Sequence, residues 1–449
     1  MSDLLISVSG VRGIVGEILT AELALNYAAA FGTFIKKGKI AIGGDTRRTG
    51  PMIKSAAIAG LLSTGHDVVD IGICPTPTIE LAVRYGDFTG GIAITASHNP
   101  DEYNALKLIG PGGLFLSEVQ AVRVNDIYSS KKSIAVGWEE VGRLSSEDSW
   151  IDRHIEKIIH LDIISIDQIR LRQLKIVADC VGGAAALAAD KFFSRLGVRY
   201  TLINSDVGEK FPHPPEPIPE NLKQLGKAVL DSKADIGFAF DPDADRLAMV
   251  SEMGEPLGEE YTLALGARYI LRHKQGPMVV NLSSSMLNDD VAQEAGVKLY
   301  RTKVGERNVT EKMIRAKAVV GGEGNGGLIY PELHWGRDGM LAAAVITQYL
   351  ASTKSAISAL AGELPSYTML KTKIPASREQ VDKKANAIEK AFPKTEINRL
   401  DGIKISGDNW WVQIRSSNTE PVARLMAEAK DPKIARSLIN AVKSVLVRK

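Results

Sequence analysis

The sequence predicts an α/β chain of three similar layered domains followed by a smaller α+β domain. Three recurrences predict it. Residues 39–47 read KIAIGGDTR and lead into a helical stretch at 52–63. Residues 175–183 read KIVADCVGG and lead into 184–196, and residues 278–285 read MVVNLSSS and lead into 288–295. Each is a β-branched run, a polar or glycine-containing turn and then a helix, which is how a parallel α/β layer opens. Recurrence at a spacing of roughly 100 residues or more points to repeated domains rather than a solenoid.

The breaks between these units are set by composition. Residues 150–155 are read as a link into a helix ahead of the second opening. Residues 251–259 (SEMGEPLGE) form a polar, turn-rich break ahead of the third, and 362–367 (GELPSY) separate it from the tail. The expected domains are therefore 1–150, 151–253, 254–366 and 367–449. The tail, about 80 residues, is small for a domain but long enough to fold. Strands are expected in it near 368–374 and 410–415, and a helix at 434–447.

Composition narrows the class. The chain has 449 residues, with 55 Lys and Arg against 53 Asp and Glu, a net charge of +2. Such a balance calls for no nucleic-acid or membrane-surface partner, so a site for an anionic substrate would have to be local. The apolar fraction of 45% and charged fraction of 24% are those of a globular chain and exclude disorder, collagen and disulfide scaffolds. Cys74 and Cys180 stand far apart with no CxxC or Cys/His cluster, which predicts buried, reduced thiols, a cytoplasmic protein and no structural zinc. The N-terminal MSDLLISVSGVRG carries Asp3 and no basic stretch before an apolar core, so it is not read as a signal peptide. No run of about 18 apolar residues predicts a membrane span.

Four segments are candidates for chemistry, each weighed against the plainer reading of a turn without it. In Thr95-Ala96-Ser97-His98-Asn99-Pro100, a strand at 91–94 runs directly into a loop that Asn-Pro keeps from becoming helical. Ser97 is thereby presented at the carboxyl end of a strand, where open α/β sheets place their chemistry. In Asp241-Pro242-Asp243-Ala244-Asp245-Arg246, three carboxylates at alternate positions of a tight turn would repel one another without a hard cation. An EF-hand is excluded because its sixth position is Arg246 rather than glycine and the flanks, 236–240 and 247–250, read as strands. Mg²⁺ is favoured over Ca²⁺, since three carboxylates leave room for a phosphate oxygen.

The third segment, Gly322-Glu323-Gly324-Asn325-Gly326-Gly327, matches GxGxxG after a strand at 318–320. The stretch after it, 328–331, is extended and stopped by Pro331, not helical, so a dinucleotide site fails. A loop that displays Glu323 and Asn325 to a polyhydroxylated ligand remains. The fourth, Arg415-Ser416-Ser417-Asn418-Thr419-Glu420-Pro421 with Arg424 beyond, gathers arginines, hydroxyls and turn N–H groups suited to a phosphate dianion.

In this order the four segments resemble the α-D-phosphohexomutase family of phosphoglucomutases, phosphomannomutases and phosphoglucosamine mutases. Supporting matches are Ser9-Gly10-Val11-Arg12-Gly13, Gly44-Asp45-Thr46-Arg47 and Pro217-Ile218-Pro219-Glu220-Asn221-Leu222, so the resemblance spans nearly the whole chain. It implies four domains around a central cleft. It implies that Ser97 is a phosphoserine, and that Asp241, Asp243 and Asp245, with the Ser97 phosphoryl oxygen, bind Mg²⁺. Lys107 and Arg12 then fall where the family transfers protons, and Arg246 falls beside the moving phosphoryl group. Glu323 and Asn325 would meet sugar hydroxyls. Arg415, Ser417, Asn418, Thr419 and Arg424 would hold the phosphate that is not transferring.

The implied reaction interconverts a hexose or hexosamine 6-phosphate and 1-phosphate through a hexose 1,6-bisphosphate, which also serves as activator. Phosphoglucosamine mutase is the first reading, phosphomannomutase or phosphoglucomutase the second, and a metal-dependent sugar-phosphate phosphatase the third. A non-catalytic sugar-phosphate sensor is disfavoured by the intact Ser97 and aspartates. Asn325 and Gly327 stand where the family usually has Ser and His, and Asn104-Ala105 where it has Asn-Gly. Both departures resemble an archaeal-type branch often assigned to phosphoglucosamine mutase.

Overall fold

The computed structural model describes residues 5–7, 10–208, 210–416 and 422–447. All three expected openings are present. The strand Lys39–Gly44 leads to the helix Gly50–Ser63, Lys175–Asp179 to Ala185–Leu196, and Met278–Asn281 to Leu287–Glu294. Each opening starts the same unit of strand, helix, strand, helix, strand, and a last strand that doubles back. Within each sheet the first strand lies between the second and the third, and the fourth pairs antiparallel with the third.

This repeat decides where function falls. The turn between third and fourth strands sits at the carboxyl end of a parallel strand in all three units. In the first unit it lies between Gly90–Ile94 and Tyr103–Gly110 and carries Ser97. In the second it lies between Ile236–Phe240 and Leu247–Ser251 and carries the three aspartates. In the third it lies between Val320–Glu323 and Gly327–Ile329 and carries Asn325. The first sheet also gains Gly10–Ile14, antiparallel to Tyr103–Gly110 with Gly10 opposite Lys107 and Arg12 opposite Ala105. Side chains alternate along a strand, so Arg12 and Lys107 share a face.

The core joins the three units. The helix Gly339–Thr353 is mostly apolar around its circumference, with Thr347 and Gln348 polar, and is buried from Gly339 to Ala351, as a helix without a polar face must be. One contiguous apolar cluster runs through Ile79, Ile155, Phe193, Leu265 and Leu341. The C-terminal part is built differently. Its five-stranded antiparallel sheet runs in the order Thr368–Ile374, Ala423–Ala429, Trp410–Ser416, Ile403–Gly407, Glu396–Asn398. The helices Arg378–Lys390 and Pro432–Val447 pack on it around a separate core that includes Ile388, Val412 and Leu425. Among the described residues no helix is long and apolar enough to cross a membrane.

Two local expectations are corrected. Residues 150–155 are not a link, because the helix Trp150–Ile159 begins at Trp150 and buries Trp150, His154, Ile155 and Ile158. The third-unit strand, expected at 318–320, begins only at Val320. It continues through Gly321 and Gly322 to Glu323, since pairing on both sides outweighs the poor strand propensity of glycine.

A buried polar junction ties the units. His154 Nε2 and His334 Nε2 lie 2.7 and 3.1 Å from Asp338 Oδ2, and Thr78 Oγ1 lies 2.9 Å from His154 Nδ1. The N–H of Gly336 donates to His334 Nδ1, which puts that ring's proton on Nε2, facing Asp338. The cluster is thus satisfied by direct hydrogen bonds. Asp338 Oδ1 also caps the helix Gly339–Thr353 by accepting from the Leu341 N–H at 3.0 Å. Burial alone would raise the Asp338 pKa, but His154 and His334 outweigh it and hold it below the usual carboxylate range. A carboxylate depressed in the folded state contributes stability above its unfolded pKa of about 4, and that contribution fades as pH falls. Asp338→Asn should therefore cost about 2 kcal/mol near neutral pH. Thermal unfolding should show the gap from the parent narrowing on acidification; a gap independent of pH would contradict the assignment.

Candidate active site

The Ser97 loop is held in an uncommon shape. Ser97 has a φ of 51°, in the left-handed region that non-glycine residues seldom occupy. Its N–H donates to Thr95 Oγ1 at 2.9 Å, and Thr95 Oγ1 donates to Asp45 Oδ2 at 2.6 Å. Arg47 fastens the rest. Its Nη2 donates to the carbonyls of Ser97 (2.5 Å) and Asn99 (2.6 Å), and its Nη1 to those of Pro100 (2.5 Å) and Tyr103 (3.0 Å). Its Nε is paired with Asp45 at 3.1 Å. Strained backbone persists only where its surroundings over-determine it, and here one buried guanidinium does so. Ser97 Oγ is thereby directed across to the second unit, where it donates to Asp241 Oδ2 at 2.7 Å.

Asp241, Asp243 and Asp245 are buried, with ligand atoms within 4.8 Å of one another. Each has at least one oxygen engaged. Asp241 accepts from Ser97 and from the Arg246 N–H, and Asp245 Oδ2 accepts from Arg337 at 2.5 Å. Asp243 Oδ2 accepts from Thr76 Oγ1 at 2.8 Å and Lys107 Nζ at 2.6 Å. Asp243 Oδ1 and Asp245 Oδ1 are buried with no hydrogen-bond partner. Unpaired carboxylate oxygens in such a place are costly, and this donor set fits a hard divalent cation. Burial, then Asp245 and Asp243, drive the Asp241 pKa well above the usual carboxylate range.

Cations surround the cluster. Lys107 Nζ is 3.7 Å from Asp245 Oδ2 as well as 2.6 Å from Asp243. Burial alone would lower the Lys107 pKa, but Asp243 and Asp245 outweigh burial and raise it. It is held as an ammonium against the acidic turn. Arg12 Nη1 donates to Asn99 Oδ1 at 2.7 Å. Burial lowers the Arg12 pKa, Asp243 opposes, and Arg246 and Arg47 add to the lowering. Arg246 Nε stands 3.6 Å from Asp245 Oδ1 and 4.0 Å from Asp241 Oδ2 without a hydrogen bond. His98, with Nδ1 3.4 Å from Ser97 Oγ, is kept neutral by burial and by Arg246 and Arg12.

The third unit adds Glu323. Its Oε1 accepts from Asn281 Nδ2 and from the Gly305 N–H, both at 2.8 Å, and its Oε2 accepts from Arg337 Nη1 at 2.9 Å. A carboxylate offers about four lone-pair directions, so one on Oε2 remains for a ligand hydroxyl. Asn325 Oδ1 is buried and unpartnered. In the C-terminal sheet Arg415 and Arg424 are directly opposite in the antiparallel ladder. Like charges so placed repel, which a phosphate dianion between them would relieve. Arg415 Nε is buried without a partner, and its pKa is lowered by burial and Arg424 against Asp401. Ser417, Asn418 and Thr419 lie outside the described residues.

Sequence reasoning missed Thr76, His98 and Arg337 and gave Arg47 no role. Arg47 and His98 belong to quoted motifs, GDTR and TASHNP, and were legible there. Thr76 and Arg337 reach the site only through the fold.

Comparison with known proteins agrees with this geometry. Family models described as "Phosphoglucomutase/phosphomannomutase" match residues 4–135 (alpha/beta/alpha domain I), 152–254 (domain II), 258–367 (domain III) and 371–444 (C-terminal domain). The chain belongs to this phosphohexomutase family. A relative from Thermococcus kodakarensis named "Phosphoglucomutase/phosphomannomutase" is 39% identical over 96% of this chain and 95% of its own. One from Pyrococcus horikoshii named "Probable phosphoglucosamine mutase" is 37% identical over 98% and 97%. The crystal structure of a phosphoglucomutase/phosphomannomutase family protein from Burkholderia thailandensis superposes with a TM-score of 0.88 at 27% identity, covering 98% of this chain and 96% of that one.

In this phosphohexomutase, Asp243→Asn should weaken divalent-cation binding by at least about 10-fold, since ligand charge count sets such affinities. Calorimetric titration with Mg²⁺ checks it, and unchanged binding would place the cation elsewhere. Arg47→Lys keeps the charge but loses the planar fork that reaches four carbonyls. It should slow turnover several-fold while leaving Mg²⁺ binding intact; equal turnover in a steady-state assay would show that the loop needs no such clamp.

Proposed function

We propose that this enzyme moves a phosphoryl group between the 6- and 1-oxygens of a hexosamine, as a phosphoglucosamine mutase, with Ser97 as donor and acceptor. The observation that carries the reading is the 2.7 Å hydrogen bond from Ser97 Oγ to Asp241, which sets a nucleophilic hydroxyl against a metal-binding carboxylate cluster. In the forward half-reaction the bond from Ser97 Oγ to phosphorus breaks and a bond from a sugar oxygen to phosphorus forms. The net proton passes from the sugar hydroxyl to Ser97. Lys107, held as an ammonium, is the group placed to lend that proton, and Arg12 on the same sheet face balances charge. The 1,6-bisphosphate then turns over, and its other phosphate returns to Ser97.

Phosphoryl transfer needs in-line positioning and charge neutralisation above all. Mg²⁺ at Asp241, Asp243 and Asp245 would supply neutralisation at the phosphoryl oxygens. Arg246 adds a fixed positive charge, Glu323 and Asn325 receive sugar hydroxyls, and Arg415 and Arg424 hold the phosphate at rest. The buried free thiols Cys74 and Cys180, each pushed up to about 12 by burial, suit a reducing cytoplasm.

The hexosamine reading is supported by the relative at 37% identity that carries the phosphoglucosamine mutase name. Glucose or mannose phosphate is the second reading, because the relative at 39% carries the other name. A panel of glucosamine, N-acetylglucosamine, glucose and mannose phosphates separates them: kcat/KM should be highest for glucosamine phosphate. Release of inorganic phosphate in place of isomerised sugar would mark a phosphatase instead. Intact-mass and phosphopeptide analysis should find phosphate on Ser97, and full activity in Ser97→Ala would sink the mechanism.

Arg415→Ala tests the clamp. A charge-assisted contact to phosphate is worth roughly 1.5–3 kcal/mol, so KM should rise on the order of 10- to 100-fold. The variant should also release bisphosphate into solution and depend more on added bisphosphate. An unchanged KM with a retained intermediate would remove Arg415 from the clamp.

A further inference from the structure

Arg337 is buried beside the turns of the second and third units. Three of its N–H groups reach carboxylates on three separate segments. Nε donates to Glu306 Oε2 at 2.9 Å, Nη1 to Glu323 Oε2 at 2.9 Å, and Nη2 to Asp245 Oδ2 at 2.5 Å. Its stem lies across Gly327. A Cβ at 327 would stand 2.2 Å from Arg337 Cδ and 2.8 Å from its Cγ. Gly327 is not among the residues with positive φ, so its backbone does not require glycine. What the site uses there is the missing side chain.

We propose that Arg337 is a positioning residue that sets the separation between the metal-loop carboxylate Asp245 and the sugar-loop carboxylate Glu323, with Gly327 as the space that admits it. The inference rests on the mutase reading for the roles of those two groups. Pairing of Asp245 Oδ2 with Arg337 leaves Oδ1, buried and without a hydrogen bond though 3.6 Å from Arg246 Nε, as the oxygen available to a cation. Pairing of Glu323 Oε2 with the same guanidinium turns one remaining lone pair toward a ligand hydroxyl. A planar fork can hold both carboxylates at one spacing; a lysine ammonium is a point charge on a mobile stem and cannot. One side chain thus places cation and sugar relative to each other.

Two full-length variants test this. Arg337→Lys keeps the charge and loses the fork. Gly327→Ala keeps Arg337 and pushes its stem aside. Calorimetric titration with Mg²⁺, without sugar, should show each variant binding about 10-fold or more weakly, the scale for losing a group that orients a metal ligand. The KM for glucosamine phosphate should rise in both, whereas a purely structural residue would shift melting temperature and leave both constants unmoved. The double variant should cost less than the sum of the single changes, because both act through one contact. Parent-like Mg²⁺ affinity in either variant, or full additivity, overturns the proposal. If Arg337→Lys does not fold, Gly327→Ala decides alone. A parent that binds Mg²⁺ but isomerises no hexose phosphate refutes the mutase reading while the titrations still score Arg337. A parent that binds no Mg²⁺ overturns both.

Discussion

Three buried carboxylates on one short turn are the constraint around which the rest is arranged. Asp241, Asp243 and Asp245 are each almost wholly buried, and adjacent anions of that kind cannot persist without compensation. Compensation is drawn from separate parts of the chain. The first unit supplies Ser97, Thr76 and Lys107, the turn itself supplies Arg246, and the third unit supplies Arg337. The partners from the first and third units are brought in to meet charges on the second. The electrostatic need of one turn therefore fixes how three units face one another.

The shared core makes that arrangement rigid. Apolar residues from all three units form one cluster, and the buried, mostly apolar helix Gly339–Thr353 runs through it. At the start of that helix, Asp338 joins His154 and His334 in a closed hydrogen-bonded junction. Its sequence neighbour Arg337 points into the site instead. Two consecutive residues thus serve packing on one side and chemistry on the other. The C-terminal sheet has its own core and reaches the site through polar contacts, among them Gln413 with Ser283 at 2.8 Å and Lys404 with the Leu282 carbonyl at 2.6 Å. The C-terminal part is thereby attached through polar groups, unlike the three units that share one apolar core.

The repeat explains why the chemistry could be spread over three turns. The same strand order recurs, so the same turn at the end of a parallel strand recurs with it. One copy carries Ser97, one the acidic cluster and one Glu323, which the mutase reading takes as nucleophile, cation site and sugar-facing carboxylate. Because the turns are topologically equivalent, bringing the three sheets around one centre brings all three functions together without long loops.

Local order was legible in the sequence wherever it rests on short-range chemistry. The three strand-to-helix openings are dictated by β-branched runs and turn residues, and the structure has all three. The acidic turn at 241–246 announces a cation by its spacing alone, and Asn-Pro announces the Ser97 loop. Misreadings came where tertiary pairing overrode local preference, as at Gly321 and Gly322, which sit in a strand their own propensity disfavours. What the sequence could not decide is the identity of partners distant along the chain. That Lys107 meets Asp243 and so is raised rather than lowered, that Thr76 reaches the acidic turn, and that Arg337 lies over Gly327 all depend on which surfaces the shared core presses together. Periodicity and turn chemistry act over a few residues, whereas a charge is tuned by whatever lies within a few ångströms, and only the packed chain determines that.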